Sequence, residues 1–304
     1  MGAVYQAKPL DGGRPVAIKL LLPRHDRDYA SRQRFVREAR VASAIVHPNV
    51  MRVLDFGETK AGRAFSVMEY LPGQDLGQLL HREGTLSWER THAILVQVIR
   101  GLRAAHDLGV LHRDIKPSNV FLVSGRQDRP DYVKLLDFGL AKAVDPSSSL
   151  AEGLTLVDEI MGTAQYLAPE RILGDPADAR SDLYSLGVMA YRMLCGSLPW
   201  GASTGAQALL LRTRRPPPSI LDEDPSISPA IDALLRRAMA VDPKHRFSLR
   251  HFEHEMQQIS TDGQPVAART HSPTLRYGEG PTQSVPRGGS HEALPTLSLR
   301  LMTR

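Results

Sequence analysis

At Pro72-Gly73 the chain changes character, and that change most constrains what it can fold into. Before it, "GAVYQA" (Gly2 to Ala7), "RPVAIKLLL" (Arg14 to Leu22), "VMRVLDFGE" and "AFSVMEYL" are short apolar or β-branched runs, and they predict strands. One helix interrupts them, "SRQRFVREARVASAI" (Ser31 to Ile45), with Phe35, Ala39, Ala42 and Ile45 near one face. Pro48 in "HPNV" closes it, because a proline biases the residue before it away from helix. Beyond Pro72-Gly73 helical spacing prevails. Ser87 to Gly109 predicts a long amphipathic helix with Ser87 as N-cap and Gly109 just past its end. "SDLYSLGVMAYRML" opens on capping candidates Ser181 and Asp182, and "PAIDALLRRAM" keeps helical spacing. The pattern predicts an α+β chain: a small antiparallel-sheet lobe with one helix over residues 1–70, and a larger, mainly helical lobe over 71–260.

Residues 261–304 are rich in Pro, Gly, Ser and Thr and poor in large apolar side chains, which predicts a disordered tail. A chain of 304 residues can bury a core in each lobe. Lys and Arg number 38 against 33 Asp and Glu, a net charge of +5 spread along the chain, which argues against a nucleic-acid partner. No apolar run approaches the roughly 18 residues that span a bilayer, and no basic segment with an apolar core opens the chain. The expected location is the cytoplasm. Cys195 is the single cysteine, which excludes an internal disulfide framework and a multi-Cys zinc site. "RTRRPPP" (Arg212 to Pro218) is expected as a solvated loop between helices, with docking of an acidic substrate as the second option. "HFEHE" (His251 to Glu255) is expected on a solvated final helix, with a metal site on His251 and His254, which share one face, as the second option.

Three stretches carry chemistry. In "VLHRDIKPSNVFL" (Val110 to Leu122) a carboxylate, Asp114, precedes an amine, Lys116, and an amide, Asn119, in one short loop before an apolar strand. Asp114 can accept a proton from a hydroxyl nucleophile, Lys116 can offset phosphate charge, and Asn119 offers a neutral oxygen to a hard cation such as Mg²⁺. In "VKLLDFGLAK" (Val133 to Lys142) a buried strand delivers Asp137 to its end, and Gly139 permits a sharp turn after it. Lys19 is an amine inside an apolar strand and needs a partner, for which Glu38 on the following helix is the obvious candidate. Together these are the parts that phosphoryl transfer requires.

With "VAIK" carrying Lys19, "HRDIKPSN" carrying Asp114 and Asn119, "DFG" carrying Asp137 and "APE" ending at Glu170, the chain resembles the eukaryotic-like (Hanks-type) serine/threonine protein kinases, and their bacterial branch most. The resemblance covers residues 1 to about 258 and implies the bilobal protein-kinase fold, with ATP and Mg²⁺ as cofactors and Ser/Thr hydroxyls of proteins as acceptors. It implies that Lys19 contacts the α/β-phosphates, that Glu38 fixes Lys19, and that Asp137 and Asn119 hold the metal. Asp114 would orient the substrate hydroxyl and Lys116 steady the γ-phosphate. "VMEYLPG" resembles the interlobe hinge. There Met68 guards the back pocket, Glu69 and Leu71 offer backbone groups to adenine, and Val4, Ala17 and Phe121 sandwich the ring.

By the same resemblance Thr163 bonds toward the catalytic aspartate, Glu170 pairs with Arg246, and Asp182 braces the catalytic loop. Arg113 before Asp114 implies activation by phosphorylation between Asp137 and Glu170, with Thr155 the first candidate and Ser147, Ser148 and Ser149 weaker ones. The chain itself, acting in trans, is an expected partner. Gly2 and Val4 match the last glycine and the valine of the family's G-x-G-x-x-G-x-V loop, whereas its first two glycines and the strand before it are absent from the 304 residues. Met1 is therefore expected to be an internal methionine of a longer reading frame. The alternative reading is a pseudokinase or binding module with an exposed sheet edge and weak or no catalysis.

Overall fold

The computed structural model describes residues 2–10, 12–21, 29–60, 62–125, 131–138, 165–201, 206–260 and 299–301. Strands β1 (Gly2–Pro9), β2 (Val16–Leu21), β3 (Val53–Glu58) and β4 (Ala64–Glu69) form an antiparallel sheet, and helix α1 (Tyr29–Ser43) lies between β2 and β3 in sequence. Lys19 stands opposite Val4 on β1 and Ser66 on β4, and Ala17 stands opposite Met68. Ala7, Val16, Ile18 and Val67 bury one face of this sheet. Leu21, Phe35 and Ala64 pack α1 against it.

The larger lobe opens with β5 (Gly73–Asp75), which pairs with β6 (Val120–Val123), itself paired with β7 (Tyr132–Leu135). Helices α2 (Leu76–Glu83), α3 (Trp88–His106), α4 (Pro169–Leu173), α5 (Ala179–Cys195), α6 (Ala206–Arg214), α7 (Pro229–Ala238) and α8 (Leu249–Gln257) make up the rest. Asp75 caps α2 through a capping box with Gln78, and Ser87 caps α3 by accepting from Arg90 N. Helix α5 differs from the sequence expectation. It starts at Ala179, capped by Asp178, while Ser181 closes the capping box and Asp182 turns elsewhere.

Helices α3, α5, α7 and α8 share one core with Ile94, Leu95, Ile99, Tyr184, Tyr191 and Phe252 fully buried. Each such side chain contributes roughly 1.5–3 kcal/mol relative to exposure. Gly187 lets α5 approach α7 closely: a Cβ there would stand 2.8 Å from Met239 Cγ and 3.2 Å from Ala238 Cβ. The "HPN" segment does more than end a helix. It docks on β7, with Leu135 N donating to Asn49 O (2.8 Å), Met51 N to Leu135 O (2.9 Å) and Asn49 Nδ2 to Val133 O (2.9 Å). The two lobes are thus stitched together beside the carboxylate loop.

One further expectation is corrected, and one strand is seen in the last segment. Arg212 to Arg214 end helix α6 rather than lying in a loop, and Arg212 is buried against the Trp200 ring. Within the segment expected to be a disordered tail, Leu299–Leu301 form a strand, β8, paired antiparallel with Ala7 to Pro9. An edge strand offers unpaired backbone groups, and β8 satisfies part of that edge.

Candidate active site

Residues 110–119 lie between α3 and β6, and two anchors fix them. Asp182 is the first. Its Oδ1 accepts from Arg113 N (2.7 Å), and its Oδ2 accepts from His112 N (2.9 Å) and His106 Nε2 (2.8 Å). Burial pushes the Asp182 carboxyl up, but these donors outweigh it and hold the group below its ordinary range. Arg113 consequently sits at φ 64°, a left-handed conformation that a non-glycine residue adopts only when its surroundings impose it.

His112 is the second anchor. It is fully buried, tilted against Phe138 at 4.7 Å, and its Nε2 donates to Leu136 O at 3.0 Å. Burial lowers its pKa, against the opposing pull of Asp182 and Asp114, so the ring is neutral near pH 7. This one imidazole ties residues 110–119 to the segment that carries Asp137.

On these anchors Asp114 is held from two sides. Lys116 Nζ stands 3.1 Å from Asp114 Oδ2, and Asn119 Nδ2 donates to Asp114 O (2.7 Å) and Oδ2 (3.1 Å). Both acceptors of that amide are oxygens, so its orientation is fixed and Asn119 Oδ1 is left as an acceptor. Asn119 is buried in the one-turn helix Pro117–Asn119. Leu136 N donates to Asn119 O at 2.9 Å, which sets the Asp137 segment alongside.

Asp137, at φ 42°, is half exposed, and its Oδ2 is 2.7 Å from Lys19 Nζ. Among the described residues Lys19 makes its ion pair with Asp137 of the larger lobe, while Glu38 is half-buried on α1. With Phe138 buried beneath it, Asp137 is directed toward the cleft and the sheet amine.

The hinge carries a contact that sequence reasoning missed. The Glu69 carboxylate accepts from Lys134 Nζ (2.6 Å) and Arg52 N (2.8 Å), and Lys134 also reaches Val50 O (3.2 Å). Glu69 N donates to Arg52 O at 3.1 Å, so that N–H is already taken. The signal was present: like Lys19, Lys134 is an amine in an apolar strand and needs a partner. Met68 is buried, and Ala17, Leu71 and Phe121 are half-buried, whereas Val4 is exposed. Gly2 begins β1 opposite Leu21.

Below the site, Arg246 and Glu170 form a bidentate pair, with Nη1 to Oε1 and Nη2 to Oε2 both 2.8 Å, and Ser181 Oγ donates to Oε1 at 2.6 Å. Arg246 also reaches the carbonyls of Ala240, Val241 and Arg180 and stacks over Tyr184. Burial raises the Glu170 carboxyl, but Arg246 and Ser181 outweigh it and keep it below the usual carboxylate range. His251 is spent on Glu255 at 3.0 Å. Gly139, Ser147, Ser148, Ser149, Thr155 and Thr163 lie outside the described residues.

A strand-rich lobe offering a cation, a larger lobe offering two carboxylates and an amide, and a hinge between them define a protein kinase. The Protein kinase domain family matches residues 1–257, and the chain belongs to that family. It is 40% identical over 265 residues to serine/threonine-protein kinase pkn3 of Myxococcus xanthus, covering 86% of this chain and 48% of that protein. It is 39% identical over 250 residues to serine/threonine-protein kinase PknJ of Mycobacterium tuberculosis, covering 82% of this chain and 41% of that one. The chain thus spans about half the length, or less, of the curated relatives it matches. Among solved structures, the kinase domain of Mycobacterium tuberculosis PknI superposes with a TM-score of 0.63 at 31% identity, covering 84% of this chain and 90% of that one.

Proposed function

We propose that this chain transfers the γ-phosphoryl group of ATP to serine or threonine hydroxyls of proteins. The observation that carries the reading is Asp114 held by both Lys116 and Asn119, while Asp137 meets Lys19 across the lobes. Asp114, fixed at both backbone and side chain, can orient an acceptor hydroxyl and take its proton. Lys116, 3.1 Å away, can follow the transferring phosphoryl group, and Lys19 can hold the α/β-phosphates.

The donor set fits a hard divalent cation, because the free Oδ1 of Asn119 and the half-exposed Asp137 carboxylate are both oxygen ligands. Asn119 and Asp137 would hold Mg²⁺ there, and the bound ion would supply positive charge against the charge developing on the phosphates. Adenine would lie between Val4, Ala17 and Phe121, with Met68 behind and the Glu69 carbonyl and Leu71 backbone at the hinge. Glu38 would take over Lys19 once phosphates draw that amine from Asp137. Gly2 would approach the phosphates as the end of the β1 turn.

Control by autophosphorylation in trans is part of the reading. Arg113 Nε is buried and makes no hydrogen bond among the described residues, which supports a guanidinium reserved for a phosphate on the segment after Asp137. Thr155 is the first candidate, and full activity of Thr155→Ala with Thr155 unmodified in active protein would rule it out. The division into lobes over 1–70 and 71–260 with a tail over 261–304, and action in the cytoplasm, belong to the same reading. No helix among the described residues is long and apolar enough to cross a membrane.

Phosphate transfer from labelled ATP to the chain itself and to a generic basic protein, compared between wild type and Asp114→Asn, tests the proposal. Signal in wild type alone supports it. Equal signal in both defeats it.

A further inference from the structure

Away from the catalytic cleft, helix α7 and the proline segment after α6 enclose a second cleft of about 660 Å³. Its rim is cationic. Arg214, Arg236, Arg237 and His245 line it, facing only two carboxylates, Asp232 and Asp242.

Both carboxylates are committed elsewhere. Asp232 Oδ1 accepts from Ser219 Oγ and Ile220 N, each at 2.9 Å, and Asp242 Oδ1 caps the following turn through Lys244 N at 2.9 Å. Arg236 and His245 come no closer than 3.9 Å to their acidic neighbours, too far for a hydrogen bond. Arg237 lies over the Phe247 ring at 4.2 Å, which fixes its plane without using its N–H donors. Arg214 is exposed and makes no ion pair among the described residues. The rim therefore holds three guanidiniums that make no side-chain hydrogen bond among the described residues. The floor is apolar and stiff: Pro216 and Pro217 fix their own φ, and Ala240 and Val241 complete it.

We infer that this cleft docks an acidic segment of the protein substrate, an inference that rests on the kinase reading. Carboxylates on an extended peptide suit guanidinium forks, and an apolar side chain between them would seat on the proline floor. A nucleic-acid strand suits it less. Single strands bind by stacking bases on aromatic rings, and among the described residues the ring beside it, Phe247, is already covered by Arg237. The position is apt, because α6 packs on α4, the helix that ends the segment following Asp137. A substrate held here would lie on the same lobe as that segment.

The test separates docking from catalysis. A fluorescent peptide carrying alternating Glu and Leu is titrated into the Asp114→Asn protein, with fluorescence anisotropy as the readout. Adding Arg214→Glu and Arg236→Glu should weaken binding about five- to thirtyfold, the effect of losing two rim pairs. The distant reversal Arg52→Glu with Lys60→Glu, equal in net charge, should leave it unchanged, and thermal melts confirm that each variant folds. Unchanged affinity in the cleft variant, equal weakening in the distant one, or single-stranded RNA of the same length displacing the peptide at lower concentration would each overturn the proposal. In catalytically intact protein the cleft variant should raise KM for a substrate extended by that peptide and leave kcat unchanged. Absence of any phosphate transfer would defeat the kinase reading alone, since the binding result stands without it.

Discussion

Lys19 Nζ and Asp137 Oδ2 lie 2.7 Å apart, an ion pair that joins the sheet of one lobe to the segment following β7 in the other. Each group is thus held by its opposite charge at the place where a nucleotide and its cation would come between them.

Replacing Lys19 by Met should lower phosphate transfer by about 10²–10³-fold, the size of losing one preorganised electrostatic contact. The pair is partly exposed, so the melting temperature should barely move. Asp137→Asn should instead abolish the divalent-ion dependence of nucleotide binding. Calorimetry with and without Mg²⁺ reads the difference.

Asp114→Asn keeps a hydrogen-bonding group beside Lys116 and Asn119 while removing the base. Transfer should fall by about 10²–10⁴-fold with ATP affinity unchanged. A rise in the nucleotide Kd of the same order would show that Asp114 acts on binding instead.

Arg246→Ala leaves the Glu170 carboxylate buried with Ser181 as its remaining side-chain donor. Breaking a buried pair from one side costs about 3–5 kcal/mol, so urea unfolding should shift strongly. Arg246→Lys should recover only part, because an ammonium cannot reproduce the bidentate fork.

Gly187→Ala should destabilise by about 1–3 kcal/mol through overpacking. A new Cβ would press on the Met239 side chain and the Ala238 methyl. A second change, Met239→Ala, should relieve most of that strain, and a double-mutant cycle measures how much.

Stability should fall on mild acidification. Burial lowers the pKa of His112, His92 and His47 in the folded chain. The unfolded chain then takes up protons below about pH 6.5 that the folded chain refuses. This contribution is complete above that pH and shrinks as pH falls through it, by at most about 1.4 kcal/mol per unit for each histidine. Glu170 and Asp182, whose carboxyls are lowered, add a loss only at more acid pH, below about 4. Unfolding curves between pH 7.5 and 5.5 isolate the histidines, and His112→Gln should flatten the slope there.

The site was largely legible in sequence wherever one short stretch carried several functional groups. Asp114, Lys116 and Asn119 occupy a single turn, so their spacing alone brings them together. What was not legible depended on pairings between distant segments. Nothing in "VAIK" says that Lys19 meets Asp137, because that pairing depends on how the two lobes approach each other. The role of "HPN" was missed for the same reason: Asn49 earns its burial from Val133, which periodicity cannot see. Of the two readings of Asp182, the cap falls to Asp178, whereas the brace on the loop that the family resemblance implied is seen at the backbone of His112 and Arg113. Arg212 read as solvated because its neighbours are arginine and proline, but the helix turns it onto Trp200. The tail composition gave no hint of a strand, because β8 draws on the unpaired edge of β1 rather than on its own propensity.

The bond between Glu170 and Arg246 also has a place in time. The two residues are 76 positions apart, and chains emerge N-terminus first. At about 5–20 residues per second, Arg246 is made roughly 4–15 s after Glu170. Throughout that interval the segment beyond Asp137 has no fixed far end, although every catalytic side chain has already been synthesised. Glu170 therefore waits for its buried partner until the last helices of the lobe have been made.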